Sequence, residues 1–168
     1  MCGIIGIASN KSVSSAIINS LRKLEYRGYD SAGIATLSNG IVSEAKSEGR
    51  VDILEKNLLV KNMSGSIGIG HVRWATHGVP NTINAHPHSS GSVSVVHNGI
   101  IENSTLLKKH LINKGHVFKS QTDTEVIVHL ITEYLKELNL KDAIIKTLKQ
   151  LHGSFALGII FKDQPDLI

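Results

Sequence analysis

Several residue types are scarce in this chain, and each shortage closes a route. A single cysteine, Cys2, excludes an intramolecular disulfide framework. Aromatic residues make up 4% of the chain, so a core has to be built from Ile, Leu, Val and Ala. No apolar run approaches the ~20 residues that cross a bilayer. The opening, MCGIIGIASNK, has neither a basic n-region nor a long apolar h-region, which argues against a secretory signal. The expected setting is therefore cytoplasmic and reducing, with no membrane partner. Acidic residues are missing altogether from Lys56 to Ile101.

What is present is enough for a globular core: 41% of the 168 residues are hydrophobic and 19% are charged. The formal charge of +4 raises the question of nucleic acid, but its distribution answers no. The lysines are spread along helical stretches such as Leu107 to Lys114 and Lys141 to Lys149. No arginine-rich run occurs, and no aromatics are interleaved as stacking platforms, so solvated helix faces account for the charge. Without repeats or linker-like tracts, residues 2–168 read as one domain.

Ile4 to Ala8 reads as a buried strand. Val13, Ile17, Ile18, Leu21 and Leu24 share a helical face. Ala32 to Leu37 and Ile41 to Glu44 flank Asn39-Gly40, a strong hairpin signal. Val51 to Val60 is expected as a helix. Ser66 to Val72 and Ser92 to His97 are expected as strands, separated by a long polar segment with Pro80 and Pro87. Asn103 is placed to cap a helix running to Gly115. Thr122 to Glu125 has capping-box spacing before Val126 to Leu138. Asp142 starts a further helix that ends before Gly153, Ser154 to Lys162 is a strand, and Asp163 to Asp166 a turn. Strands and helices mixed in this way, with hairpins rather than regular βαβ alternation, indicate an α+β layered fold. The chain stops at Ile168, one turn into a hairpin, so the expected domain is incomplete.

Five groups of residues could carry chemistry. Cys2 is either a small buried hydrophobe at a strand edge or, once Met1 is removed, an N-terminal nucleophile whose own α-amine takes the thiol proton. His97-Asn98-Gly99 follows an apolar strand. It is either a plain Asn-Gly turn or a turn that aims the Asn98 amide and the Gly99 N–H at one point as an oxyanion hole. Arg73-Trp74-Ala75-Thr76-His77-Gly78 places the last arginine of the chain inside the acid-free stretch, where it suits a ligand carboxylate or phosphate. Trp74 is either core or a movable lid beside it. Asp123 caps a helix, unless Thr122 or Thr124 does so and frees its carboxylate for a cationic group. His71, His77, His86, His88 and His97 crowd the middle of the chain. Loop hydrogen bonding explains them better than a metal, since His-x-His is not a characteristic zinc spacing and no local carboxylate is available to orient the rings.

Together, MCGIIGI, EYRGYDSAGI (Glu25 to Ile34), RWATHGVPNTINAHPH (Arg73 to His88), HNGIIEN (His97 to Asn103) and QTDTEV (Gln121 to Val126) resemble the class II glutamine amidotransferase domain. Within that family they are most similar to the glutaminase domains of glucosamine-6-phosphate synthases. Amidophosphoribosyltransferases share RG-x-DSAG but typically have Gln where Tyr29 stands, and asparagine synthetases depart further. The resemblance covers the whole chain in order. It implies a four-layer αββα N-terminal-nucleophile hydrolase sandwich, here truncated at its C-terminal end. It further implies an enzyme that hydrolyses the side-chain amide of L-glutamine to glutamate and ammonia, with no cofactor and no metal. Cys2 would be nucleophile and proton acceptor, and Asn98 and Gly99 the oxyanion donors. Arg73 would hold the substrate α-carboxylate and Asp123 its α-ammonium, with Thr76 and His77 lining the pocket and Trp74 closing over it. Fructose 6-phosphate would be met only through sugar-isomerase domains that this chain lacks, and a homodimer is compatible with the resemblance. The competing expectations are a non-catalytic remnant that binds a ligand or partner, and a histidine-rich metal-binding module.

Overall fold

The computed structural model describes residues 2–61, 63–75 and 78–164, leaving aside the side chains of residues 58–61. Strand β1 (Gly3–Ala8) leads into helix α1 (Ser14–Leu24) and a 3-10 turn (Glu25–Arg27). Strands β2 (Ser31–Ser38) and β3 (Ile41–Glu48) form the expected hairpin, with Asn39 and Gly40 at φ 49° and 73°. Both central residues of a two-residue turn need positive φ if its twist is to match the strands, which is why Asn-Gly sits there. Helix α2 (Val51–Lys61) and strand β4 (Ile67–Arg73) follow. Then come β5 (His88–Ser90), β6 (Val93–Ile101), α3 (Ser104–Asn113), α4 (Glu125–Tyr134), α5 (Leu140–Gln150) and β7 (Gly153–Phe161).

Two antiparallel sheets result, one in the order β1-β4-β2-β3 and one in the order β5-β6-β7. Strand β4, IGIGHVR, shows how they are layered. Ile67 and Ile69 pack with Ala35 and Leu37 of β2 against Val96 and Ile160 of the second sheet. Gly68 and Gly70 face the other way, where an added Cβ would lie 2.7 and 2.5 Å from Ile17. The small residues let α1 seat Ile17 and Leu21 directly on the sheet. A second apolar cluster joins α1 and α2 to this sheet, and a third joins β6 and β7 to α3, α4 and α5. The sequence of layers is helices, sheet, sheet, helices. Because β2 and β4 are covered on both faces, they are buried along nearly their whole length rather than alternating with solvent. Among the described residues, no helix is long and apolar enough to cross a membrane.

Local expectations differ from the structure in five places. Strand β6 does not end at His97 but runs on to Ile101, with Asn98 opposite Ala156 and Gly99 opposite Phe155 of β7. Asn98-Gly99 is therefore strand and not turn, because β7 supplies a ladder that local sequence cannot reveal. Asn103 does not cap α3 with its side chain; it accepts from His152 N (3.0 Å) and donates to Gln150 O (2.8 Å), tying α3 to the approach of β7. The capping box before α4 is absent as well. Thr124 is the N-cap residue without a side-chain cap bond, and the Glu125 carboxylate reaches further back, to Lys119 N and Ser120 N. Helix α5 starts at Leu140 rather than at Asp142, with Asn139 as its cap, accepting from Asp142 N at 3.0 Å. Strand β5 was hidden in the polar segment, and Pro165 to Ile168 lie outside the described residues.

Candidate active site

Register brings the candidates together. In the first sheet Gly3 pairs with Val72, so Cys2 meets the end of β4, where Arg73 and Trp74 leave the strand. The backbone N–H of Trp74 donates to Cys2 Sγ at 3.3 Å, and Sγ is 3.5 Å from Trp74 O. The Cys2 carbonyl accepts from two side chains, Arg27 Nε and Asn98 Nδ2, each at 3.1 Å. The half-buried thiol thus sits at a junction of β1, β4 and β6.

Two cavities share that thiol. An outer cleft of about 440 Å³ is lined by Cys2, Arg27, Trp74, Asn98, Gly99 and, on its far wall, residues of β7 including Phe155. An inner cavity of about 20 Å³ is bounded by Cys2, Arg73, Gly99, Thr122, Asp123 and His97, among others. Gly99 borders both. Its φ of 130° and the position of Ser154 O, 2.1 Å from where a Cβ would stand, leave room for no other residue.

Arg73 is buried. Burial pulls its pKa down from the ordinary value, while Cys2, Asp30 and Asp123 pull it back up. Its guanidinium makes long contacts to the carbonyls of Val79 (3.5 Å) and Gly78 (3.4 Å). Asp123 is also buried, and its Oδ2 accepts from the Ile101 N–H at 2.8 Å instead of capping α4, which corrects the capping reading of this residue. Neither Thr122 nor Thr124 caps: Thr122 Oγ1 lies 3.0 Å from His88 Nε2, and Thr124 Oγ1 bonds two histidines. Trp74 is exposed and meets Tyr29 edge-on at 5.7 Å, so it belongs to no core. Thr76 and His77 lie outside the described residues.

Beneath Arg73 and Asp123 lies a fully buried histidine cluster. His71 and His86 stack edge-on with centroids 4.0 Å apart, and His88 and His97 flank His86 at 4.9 and 6.5 Å. Burial drives His71 and His88 down to about 3 and His86 well below its ordinary value, so these three rings are neutral. Among the described residues no group of His, Cys, Asp and Glu has the arrangement to hold a metal ion. Reasoning from the sequence passed over Arg27 and Asp30, and offered Thr124 only as a helix cap. Asp30 Oδ2 accepts from Ala75 N at 2.8 Å and holds the start of the Trp74 loop. The signal for the first two lay in the motif EYRGYDSAGI, where an arginine and an aspartate bracket a glycine.

The fold is that of a known class: the chain belongs to the class II glutamine amidotransferase family. A family model described as a glutamine amidotransferase domain matches residues 71–168. Among individual proteins, the chain is 52% identical over its full length to the glutamine–fructose-6-phosphate aminotransferase (isomerizing) of Mesorhizobium japonicum, and 53% identical over 99% of its length to that of Thermococcus kodakarensis. It spans 28% of the length of each. Among solved structures it is similar to the glutamine phosphoribosylpyrophosphate amidotransferase of B. subtilis complexed with ADP and GMP. There the TM-score is 0.85 with 31% identity, over 96% of this chain and 35% of that one. A structure described as the allosteric regulatory enzyme of purine biosynthesis matches with a TM-score of 0.86, also at 31% identity.

Proposed function

We propose that the chain hydrolyses the side-chain amide of L-glutamine to glutamate and ammonia, with Cys2 as nucleophile. The layers fit the αββα N-terminal-nucleophile sandwich that this chemistry uses in the family. In a longer protein of the kind it resembles, the ammonia would go to the amination of fructose 6-phosphate. The observation that carries the reading is the position of Cys2, shared by a cleft containing Asn98 and Gly99 and a cavity containing Arg73 and Asp123. Glutamine carries one charge of each sign at its α-carbon, so a selective site needs a fixed cation and a fixed anion. Arg73 and Asp123 are one of each, and both are removed from competing solvent.

Removal of Met1 exposes the Cys2 α-amine, which takes the thiol proton as Sγ attacks the amide carbon. The carbonyl oxygen becomes an oxyanion, stabilised by Asn98 Nδ2 and the Gly99 N–H. The amine returns a proton to the departing nitrogen, ammonia leaves, and a thioester remains. Water then attacks that thioester, releasing glutamate and restoring the thiol. The inner cavity has room for about one water, so the amino-acid end of the substrate must widen it. The long Arg73 contacts to the Gly78 and Val79 carbonyls are the ones a substrate carboxylate would displace, because a bidentate charge-assisted pair is stronger than two stretched neutral ones.

Intact-mass analysis after exposure to a glutamine-like diazoketone tests the reading. Loss of Met1 and one covalent adduct on Cys2 are expected, and Cys2→Ala should release no glutamate while still binding glutamine. A folded sample with free Cys2 that takes no label and turns over no glutamine would favour a remnant that only binds.

A further inference from the structure

The buried histidines carry an assignment of protons that no single residue suggests. His71 Nε2 lies 3.0 Å from the carbonyl oxygen of His97, and a carbonyl only accepts, so that nitrogen carries the ring's proton and Nδ1 is bare. His86 Nδ1 is 3.1 Å from this bare nitrogen and must donate to it, leaving His86 Nε2 as an acceptor. Thr124 Oγ1, at 2.8 Å, spends its one hydrogen on His86 Nε2. The hydroxyl can then only accept from His97 Nδ1 at 2.9 Å, so that nitrogen is protonated too. Asp123 Oδ1 stands 4.0 Å from the same nitrogen, too far to take its proton. The path leaves the His97 side chain, passes through Thr124, His86 and His71, and returns to the His97 carbonyl.

This loop ends at the residue before Asn98. The Asn98 amide has its Nδ2 toward Cys2 O, while Oδ1 is buried with no regular hydrogen bond among the described residues. Turning the amide over would point an oxygen at the Cys2 carbonyl.

We propose that His71, His86, Thr124 and His97 form a closed, one-directional ring of hydrogen bonds that clamps His97 by its side chain and its carbonyl, and through that peptide holds the next residue, Asn98, where its amide donates to Cys2. The four are positioning residues, and their importance for turnover rests on the reading of Asn98 as an oxyanion donor. The ring itself does not.

Proton-detected ¹⁵N spectra of the imidazoles, recorded on the 168-residue chain, test the ring without any turnover. The expected protons are on Nε2 of His71 and on Nδ1 of both His86 and His97, with the Asn98 amide signals resolved. A His71 proton on Nδ1, or a His86 proton on Nε2, would overturn the ring. Thr124→Val keeps the shape and removes the hydroxyl, so it should displace the His86, His97 and Asn98 signals, and Thr124→Ser should restore them. With glutamine as substrate, Thr124→Val should lower kcat on the order of 10–100-fold with KM little changed, the pattern of a displaced transition-state contact. Unchanged spectra and unchanged kcat in Thr124→Val would refute the proposal. Expected tautomers in a chain without glutaminase activity would keep the ring and remove the proposed function instead.

Discussion

The proposed reaction gives Asn98 two tasks that meet in one amide. Nδ2 donates to the Cys2 carbonyl and has a second hydrogen to offer within the same cleft. In the proposed reaction that hydrogen stabilises a charge which exists only once Sγ has attacked, so its loss falls on kcat rather than on substrate binding. Asn98→Ala should lower kcat by about 10²–10³-fold with little effect on glutamine affinity. Steady-state kinetics paired with calorimetry on the same preparation would check this, and a variant with full turnover would remove Asn98 from the role. The residue types at the site were legible because the chemistry is selective: a leading cysteine, an arginine in an acid-free stretch and an Asn-Gly pair each had a functional reading beside a bland one. Thr124 was not legible, since nothing in QTDTEV says that its hydroxyl bonds a histidine 38 residues away instead of capping α4.

Strand β6 shows what an element adds to its residues. Its ladder with β7 continues through Gly99, where the backbone takes φ 130° and runs close to Ser154 O. A methyl group there meets both a disfavoured conformation and backbone atoms that cannot move without breaking the ladder. Gly99→Ala should therefore cost about 3 kcal/mol or more, read as a lower urea midpoint with faster amide exchange in β6 and β7. An unchanged midpoint would show that the strands can shift to accommodate it. Periodicity located most elements because apolar spacing reports local geometry, as in the α1 face of Ile17, Ile18 and Leu21. It cut β6 short and passed over β5, because a partner strand distant in sequence decides where a ladder ends.

Across the molecule, the buried histidines set a limit on acid tolerance. His71 and His88 stay neutral in the fold until about pH 3, whereas in the unfolded chain they take up protons near 6.5. Between those values the unfolded state binds more protons, so stability falls as pH is lowered through that window. Each ring contributes roughly 1–2 kcal/mol of loss one pH unit below 6.5. Burial alone would raise the pKa of Glu125, but the His129 ring 3.4 Å away and hydrogen bonds from the Ser120 hydroxyl and the Lys119 and Ser120 amides hold it at about 2, which adds a loss of the same sign below 4.5. Urea unfolding at pH 7.5 and 5.5 should show a clear drop in midpoint, and equal midpoints would contradict the burial of neutral rings. The amino-acid sequence by itself determined the α+β class and the hairpin at Asn39-Gly40, and singled out Cys2, Asn98, Arg73 and Asp123 as candidates, since these follow from local spacing and side-chain chemistry. Only the tertiary structure decided that Asn98-Gly99 is strand, that Asp123 is no cap, and that four residues from β4, β6, the α4 entry and the loop between β4 and β5 close a ring. Such contacts join positions far apart along the chain, and only the pairing of strands and the packing of one sheet on the other bring them within bonding distance.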